Sequence, residues 1–148
     1  MTPTPIVACP NCGRRNRVPA AAAGAPRCGQ CHQPLPWIAD AGDQDVAEIA
    51  DRSPLLVLLD LWAPWCGPCR TVGPALEELA RTFAGRIKLV KVDVDTAPRA
   101  AQRFQVQAVP TLILLDRGQP IARQAGAAPA PALRSWLENA LSAVGTRQ

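Results

Sequence analysis

Asp60-Leu61-Trp62-Ala63-Pro64-Trp65-Cys66-Gly67-Pro68-Cys69 decides the fold of this 148-residue chain. On its N-terminal side, Leu55 to Trp62 is a nearly continuous apolar run behind the turn signal Ser53-Pro54. Such a run reads as a strand buried on both faces, as a parallel sheet requires. On its C-terminal side, Val72, Leu76, Leu79, Ala80 and Phe83 recur at helical spacing, and Gly85 closes the helix. Pro74 inside that helix is expected to kink it. The two cysteines therefore sit where a buried strand turns into a helix.

Working outward, Val46 and Ile49 suggest a short helix before the strand. Ile87 to Val94 alternates like a strand, Ala97 to Phe104 is a second helical patch, and Thr111 to Leu115 is another apolar strand. Asp116-Arg117-Gly118-Gln119 reads as a turn into a short strand near Ile121, and Leu133, Trp136, Leu137 and Leu141 mark a C-terminal helix. The order β-α-β-α-β-β-α predicts an α/β fold, a central mixed sheet with helices on both faces.

Hydrophobic residues make up 48% and charged residues 19%, which supports a packed core and excludes global disorder. No uninterrupted apolar run reaches the roughly 18 residues of a membrane-spanning helix. Met1 to Pro5 carries no basic segment leading into an apolar run, so no secretory signal is evident and a cytoplasmic chain is expected. The net charge of +4 is localised. Residues 1–37 hold Arg14, Arg15, Arg17 and Arg27 and no acid, while the remaining twelve basic side chains face twelve acids. The excess is either a solvated basic surface or an affinity for polyanions. Without a lysine cluster or interleaved aromatics, nucleic-acid binding is not expected.

The six cysteines form three Cys-x-x-Cys pairs. In a reducing compartment such pairs serve metal binding or redox chemistry. Cys9/Cys12 and Cys28/Cys31 are separated by 15 residues, which fits a four-cysteine zinc site closing a tetrahedral shell. Iron in the same cage is chemically possible. Gly13 and Gly29 are expected to ease the two knuckles, and His32, next to Cys31, is expected to be a surface histidine rather than a substitute ligand. Ile6, Val7, Val18, Leu35 and Trp37 are too few to form a core, so a metal would supply the folding free energy of residues 1–37, a zinc-ribbon-like module ahead of a domain spanning 38–148.

Cys66 and Cys69 are different. Cys66 falls at a helix N-terminus, where unpaired N–H groups and the macrodipole favour the attacking thiolate. Cys69, about one turn later, is placed to resolve. Pro68 costs the first turn little because its missing N–H would lack a partner. Asp60 is a carboxylate in an otherwise apolar strand, and burial there raises its pKa.

The segment Asp60 to Cys69 resembles the active site of the thioredoxin family, whose form of the motif carries Gly67-Pro68 between the cysteines; the likeness runs from about residue 40 to 145. It implies the thioredoxin fold and protein-disulfide reduction. Cys66 would attack a target disulfide, Cys69 would resolve the mixed disulfide, and Asp60 would relay the proton of Cys69. Trp65, Gly67 and Pro68 would support the pair, and Lys91 would lie beside Asp60. Val109-Pro110-Thr111, with a cis proline, and Gly126 would line the substrate groove, and Trp65, Val109 and Ala127 would form a shallow apolar patch. Disulfide-containing proteins and an NADPH-dependent thioredoxin reductase would be the partners of a monomer. Ala108 and Pro64 depart from the commoner family residues and alter the docking surface. The four-cysteine module ahead of this domain is similar to the zinc-containing thioredoxin 2 type.

Other functions compete: a zinc-linked redox sensor acting through Cys9, Cys12, Cys28 and Cys31, a binding module anchored by the basic ribbon, and a periplasmic oxidase, the last weakened by Gly67-Pro68.

Overall fold

The computed structural model describes residues 4–145. The chain begins with a small antiparallel pair, β1 (Ile6–Ala8) and β2 (Arg15–Arg17). It then builds β3 (Ile38–Ala41), one wide helical turn over Ala47–Asp51, β4 (Leu56–Trp62), α1 (Gly67–Thr82), β5 (Ile87–Asp93), α2 (Pro98–Arg103), β6 (Thr111–Asp116), β7 (Gln119–Ala125) and α3 (Ala130–Gly145).

β3 to β7 form one mixed sheet in the order β3-β5-β4-β6-β7. β5 runs parallel to both β3 and β4, whereas β6 is antiparallel to β4 and β7. The expected order from β4 onward is present. β3 and the β1–β2 pair are additions, and β7 is longer than the short strand expected.

β4 is buried on both faces, and its alternation sorts the core into two layers. Val57, Leu59 and Leu61 pack with Val90, Val92 and Ile113 under Ile49, Ala100 and Phe104. Leu58 packs with Leu89, Leu112 and Leu114 under α1 and α3, through Val72, Leu76, Leu133 and Leu137. Each such side chain contributes about 1.5–3 kcal/mol when fully buried. Asp60 shares the α1 face, so the strand delivers one carboxylate beneath the helix that starts at the cysteines.

α1 continues past Pro74, whose ring lies on the exposed side. The chain leaves α1 through Gly85 at φ +85°, where a Cβ would come within 2.8 Å of the Pro34 ring. The glycine serves both the left-handed turn and this close approach.

The N-terminal residues close on a third small cluster, Cys9, Val18, Cys28, Leu35 and Trp37. Leu55 packs against this cluster, and Ala20 and Ala21 pack on the Ile49 layer. The Leu89 N–H donates to the Trp37 carbonyl at 2.8 Å, so residue 37 already lies alongside β5. No helix among the described residues is long and apolar enough to cross a membrane.

Candidate active site

Cys66 occupies the position before the first turn of α1, with φ −86° and ψ 110°. Its Sγ accepts the Cys69 N–H at 3.2 Å, satisfying one of the donors a helix N-terminus leaves free. Gly67 and Pro68 follow in the first turn. Cys66 and Cys69 are joined in a disulfide with Cα atoms 5.3 Å apart, and both are buried.

The opposite wall comes from the approach to β6. The Val109–Pro110 peptide bond is cis, and the Val109 carbonyl lies 3.6 Å from Cys66 Sγ. Thr111 is buried, and its hydroxyl donates to the Ala108 carbonyl at 2.7 Å. Gly126, at φ +82°, donates its N–H to the Pro110 carbonyl at 2.9 Å, pinning the loop after β7 to the same wall. Trp65 is 68% exposed, and its indole N–H donates to Asp95 Oδ2 at 3.0 Å. Beside it runs a groove of about 300 Å³ lined by Trp65, Val94, Pro98, Ala101, Val106, Gln107, Ala108 and Val109. The apolar patch expected at Trp65, Val109 and Ala127 thus extends from the first two toward α2. Ala127 is exposed but does not line the groove.

Behind the cysteines, Asp60 is 3% exposed and its Oδ1 has no hydrogen-bond partner. Burial pushes its pKa up to about 6, against the opposing pull of Lys91. Asp60 and Lys91 are register partners across β4 and β5. Both line a cavity of about 250 Å³ that Cys69, Trp62, Arg70, Gly73, Pro74 and Glu77 complete. A carboxyl that titrates near neutrality thus shares a chamber with the inner cysteine.

The family model for thioredoxin matches residues 42–139. Thioredoxin C-3 of Corynebacterium nephridii is 37% identical over 140 residues, covering 92% of this chain and 95% of its own length. That share takes in most of residues 1–37. Thioredoxin 1 of Chlorobaculum tepidum is 45% identical over 102 residues, with 69% of this chain and 98% of that protein covered. The thioredoxin of Mycobacterium tuberculosis is 54% identical over 71 residues, 48% of this chain and 61% of its own length.

The chain belongs to the thioredoxin family. As a thioredoxin it is a thiol–disulfide oxidoreductase.

This thioredoxin also brings a second sulfur cluster together. The Sγ atoms of Cys9, Cys12, Cys28 and Cys31 all lie within 4.8 Å of one another. Cys9 and Cys31 Sγ lie 3.6 Å apart and Cys12 and Cys28 Sγ 3.5 Å apart. A tetrahedral ion with bonds of about 2.3 Å requires sulfur edges of roughly 3.8 Å, so the set fits one ion. The two knuckles repeat. Gly13 donates to the Cys9 carbonyl at 2.9 Å and His32 to the Cys28 carbonyl at 3.0 Å, with φ of +82° and +65°. The left-handed position of the second knuckle is therefore His32, while Gly29, expected to ease this turn, does not take a positive φ. His32 is not among the clustered ligands, and its carbonyl instead accepts Arg27 Nη1 at 3.1 Å. Backbone N–H donation from Cys31 leads the factors that lower the Cys28 pKa to about 6, with Gln30 and Asn16 contributing. The Gln30 N–H and Asn16 Nδ2 lie 3.4 and 3.6 Å from that sulfur, the kind of outer support a ligating thiolate uses.

Two residues at these sites escape a reading of sequence alone. Asp95 anchors Trp65 from a turn thirty residues away, and the Asp93-x-Asp95 spacing is its one signal, since Asp93 Oδ1 accepts the Asp95 N–H at 2.9 Å. Trp62 lines the Asp60 cavity, and its indole nitrogen is buried without a hydrogen-bond partner among the described residues.

Proposed function

We propose that this thioredoxin is a reductase of protein disulfides, with the catalytic roles on Cys66, Cys69 and Asp60. The observation that carries the proposal is Cys66 at the start of α1, opposite the cis Val109–Pro110 bond and backed by an Asp60–Cys69 chamber. The Cys66 thiolate attacks one sulfur of a target disulfide, forming a mixed disulfide and releasing the other target sulfur as a thiol. Cys69 gives its proton to Asp60, through the shared cavity, and attacks Cys66 Sγ. The second target thiol leaves, the target gains two electrons and two protons, and Cys66–Cys69 is oxidised. An NADPH-dependent thioredoxin reductase returns the pair to the dithiol.

The groove residues Val109, Pro110, Thr111 and Gly126 receive the target chain, with Trp65 beside it. Gly67 and Pro68 shape the first turn of α1, and Lys91 tunes Asp60. Residues 1–37 form a zinc module and 38–148 the catalytic domain, an arrangement of the thioredoxin 2 type. Cys9, Cys12, Cys28 and Cys31 would hold the ion, whose closed four-sulfur shell supplies folding free energy and no open position for catalysis. The protein acts as a cytoplasmic monomer, on protein substrates and away from membranes and nucleic acids.

The test is dithiothreitol-driven reduction of insulin. The native protein accelerates precipitation of the insulin B chain and Cys66→Ser does not. Activity that survives loss of Cys66 would overturn the proposal.

A further inference from the structure

Lys88 is fully buried on β5, on the sheet face opposite to that of Lys91 and at the other end of the strand from the cysteines. Its Nζ donates to the Ile49 carbonyl at 2.7 Å and to the Ala20 carbonyl. Ile49 belongs to the last turn over Ala47–Asp51, where carbonyls lack helical partners. Ala20 belongs to the loop between the two metal-ligand pairs. The ammonium also sits 4.0 Å from the centroid of the Trp37 ring. Trp37 in turn donates Nε1 to the Pro19 carbonyl at 2.8 Å, so one aromatic covers the lysine and grips the neighbouring peptide of the same loop.

A buried ammonium is costly unless its donors are met. Here one acceptor comes from the catalytic domain and one from the N-terminal segment, with an aromatic face beside them. Burial lowers the Lys88 pKa to about 8 and Glu48 opposes this, so the group carries its charge at neutral pH. The interest of Lys88 within the N-terminal segment's contacts is that it satisfies both sides at one atom.

We propose that Lys88 is a latch: its ammonium fastens the loop around Ala20, and with it the N-terminal segment, to the pole of the sheet remote from the cysteines. When the loop lifts, Lys88 loses the Ala20 carbonyl and its amine becomes reachable. The latch is independent of the redox step, so the insulin assay and the measurements below fail separately.

The chain has two lysines, Lys88 and Lys91, and this makes the state of the latch measurable in the intact protein. Brief acylation of the full-length protein at neutral pH, read by peptide mass, should label Lys88 at least about tenfold more slowly than half-buried Lys91, because labelling must await a local opening. Trp37→Phe removes the grip on Pro19 and should raise Lys88 labelling relative to Lys91 while insulin reduction persists. Lys88→Met should speed tryptic cleavage after Arg17 and Arg27, which flank the loop, by about tenfold, again with insulin reduction retained. Lys88→Arg should restore protection. Equal labelling of Lys88 and Lys91 in the native protein would overturn the latch, as would unchanged cleavage of a folded Lys88→Met variant. If Lys88→Met does not fold, the labelling comparison of the native protein with Trp37→Phe decides alone.

Discussion

Asp60 and Lys91 face each other in register across β4 and β5, and Asp60 Oδ1 still has no hydrogen-bond partner. The strand therefore holds a carboxylate that its neighbouring cation does not fully compensate. Burial raises the Asp60 pKa from 3.8 to about 6. Below pH 3.8 the carboxyl is protonated in the native and unfolded chains alike and costs nothing. Between the two values the native state keeps a proton that the unfolded chain has released, so stability falls as pH rises. Above about 6 the full cost is present, about 3 kcal/mol for a shift of this size. Asp60→Asn should raise Tm by several degrees at about pH 8 and leave it nearly unchanged at about pH 4, by calorimetry.

The same variant should slow catalysis at one step. If Asp60 is the proton acceptor of Cys69, its loss should slow release of the mixed disulfide and leave its formation at Cys66 unchanged, even though Glu77 still lines the chamber. Cys69→Ser takes this to its limit and should accumulate a covalent adduct with a disulfide substrate, seen as a mass shift that dithiothreitol reverses. Absence of the adduct would mean that Cys66 is not the attacking sulfur.

The Trp65 indole is held by its hydrogen bond to Asp95. Asp95→Ala frees the indole and should lower kcat/KM for insulin about threefold to tenfold, the loss of one hydrogen bond worth about 1 kcal/mol, with the fold unchanged by circular dichroism.

Removing the metal should act on folding first. If the four cysteines hold an ion, a strong chelator should strip one per chain and expose the loop between the cysteine pairs to protease, because the segment has few apolar side chains to hold it otherwise. A protein that keeps its protease resistance after complete metal removal would show that Leu35, Trp37 and their neighbours suffice.

Gly85 is confined by both its φ of +85° and the Pro34 ring. Gly85→Ala should destabilise the protein by about 2 kcal/mol or more, combining left-handed strain with overpacking, as measured in urea.

The catalytic half of this molecule was legible because its signals are local. An apolar run sets β4, helical spacing sets α1, and one carboxylate in an apolar strand stands out as Asp60. β3 was not, because Ile38–Ala41 is an edge strand of four residues whose pairing with β5 lies fifty residues away. Lys88 reads as a solvated residue of an alternating strand, since nothing near it in sequence reveals that Ala20 and Trp37 will cover it. Composition points to Gly29 as the residue that eases the second knuckle, whereas the left-handed φ and the repeated hydrogen bond fall on His32, the residue equivalent to Gly13. In each case the deciding contact is a long-range one.

Trp37 joins three functions at one residue: its carbonyl extends the sheet, its ring covers Lys88 and its indole N–H holds Pro19. The first 37 residues are consequently no interchangeable cassette. A chimera that grafts a foreign N-terminal segment onto this domain must bring an aromatic with a ring donor to the same seat, or replace Lys88 as well. Substitutions at 37 and 88 are therefore expected to travel together as homologous chains diverge.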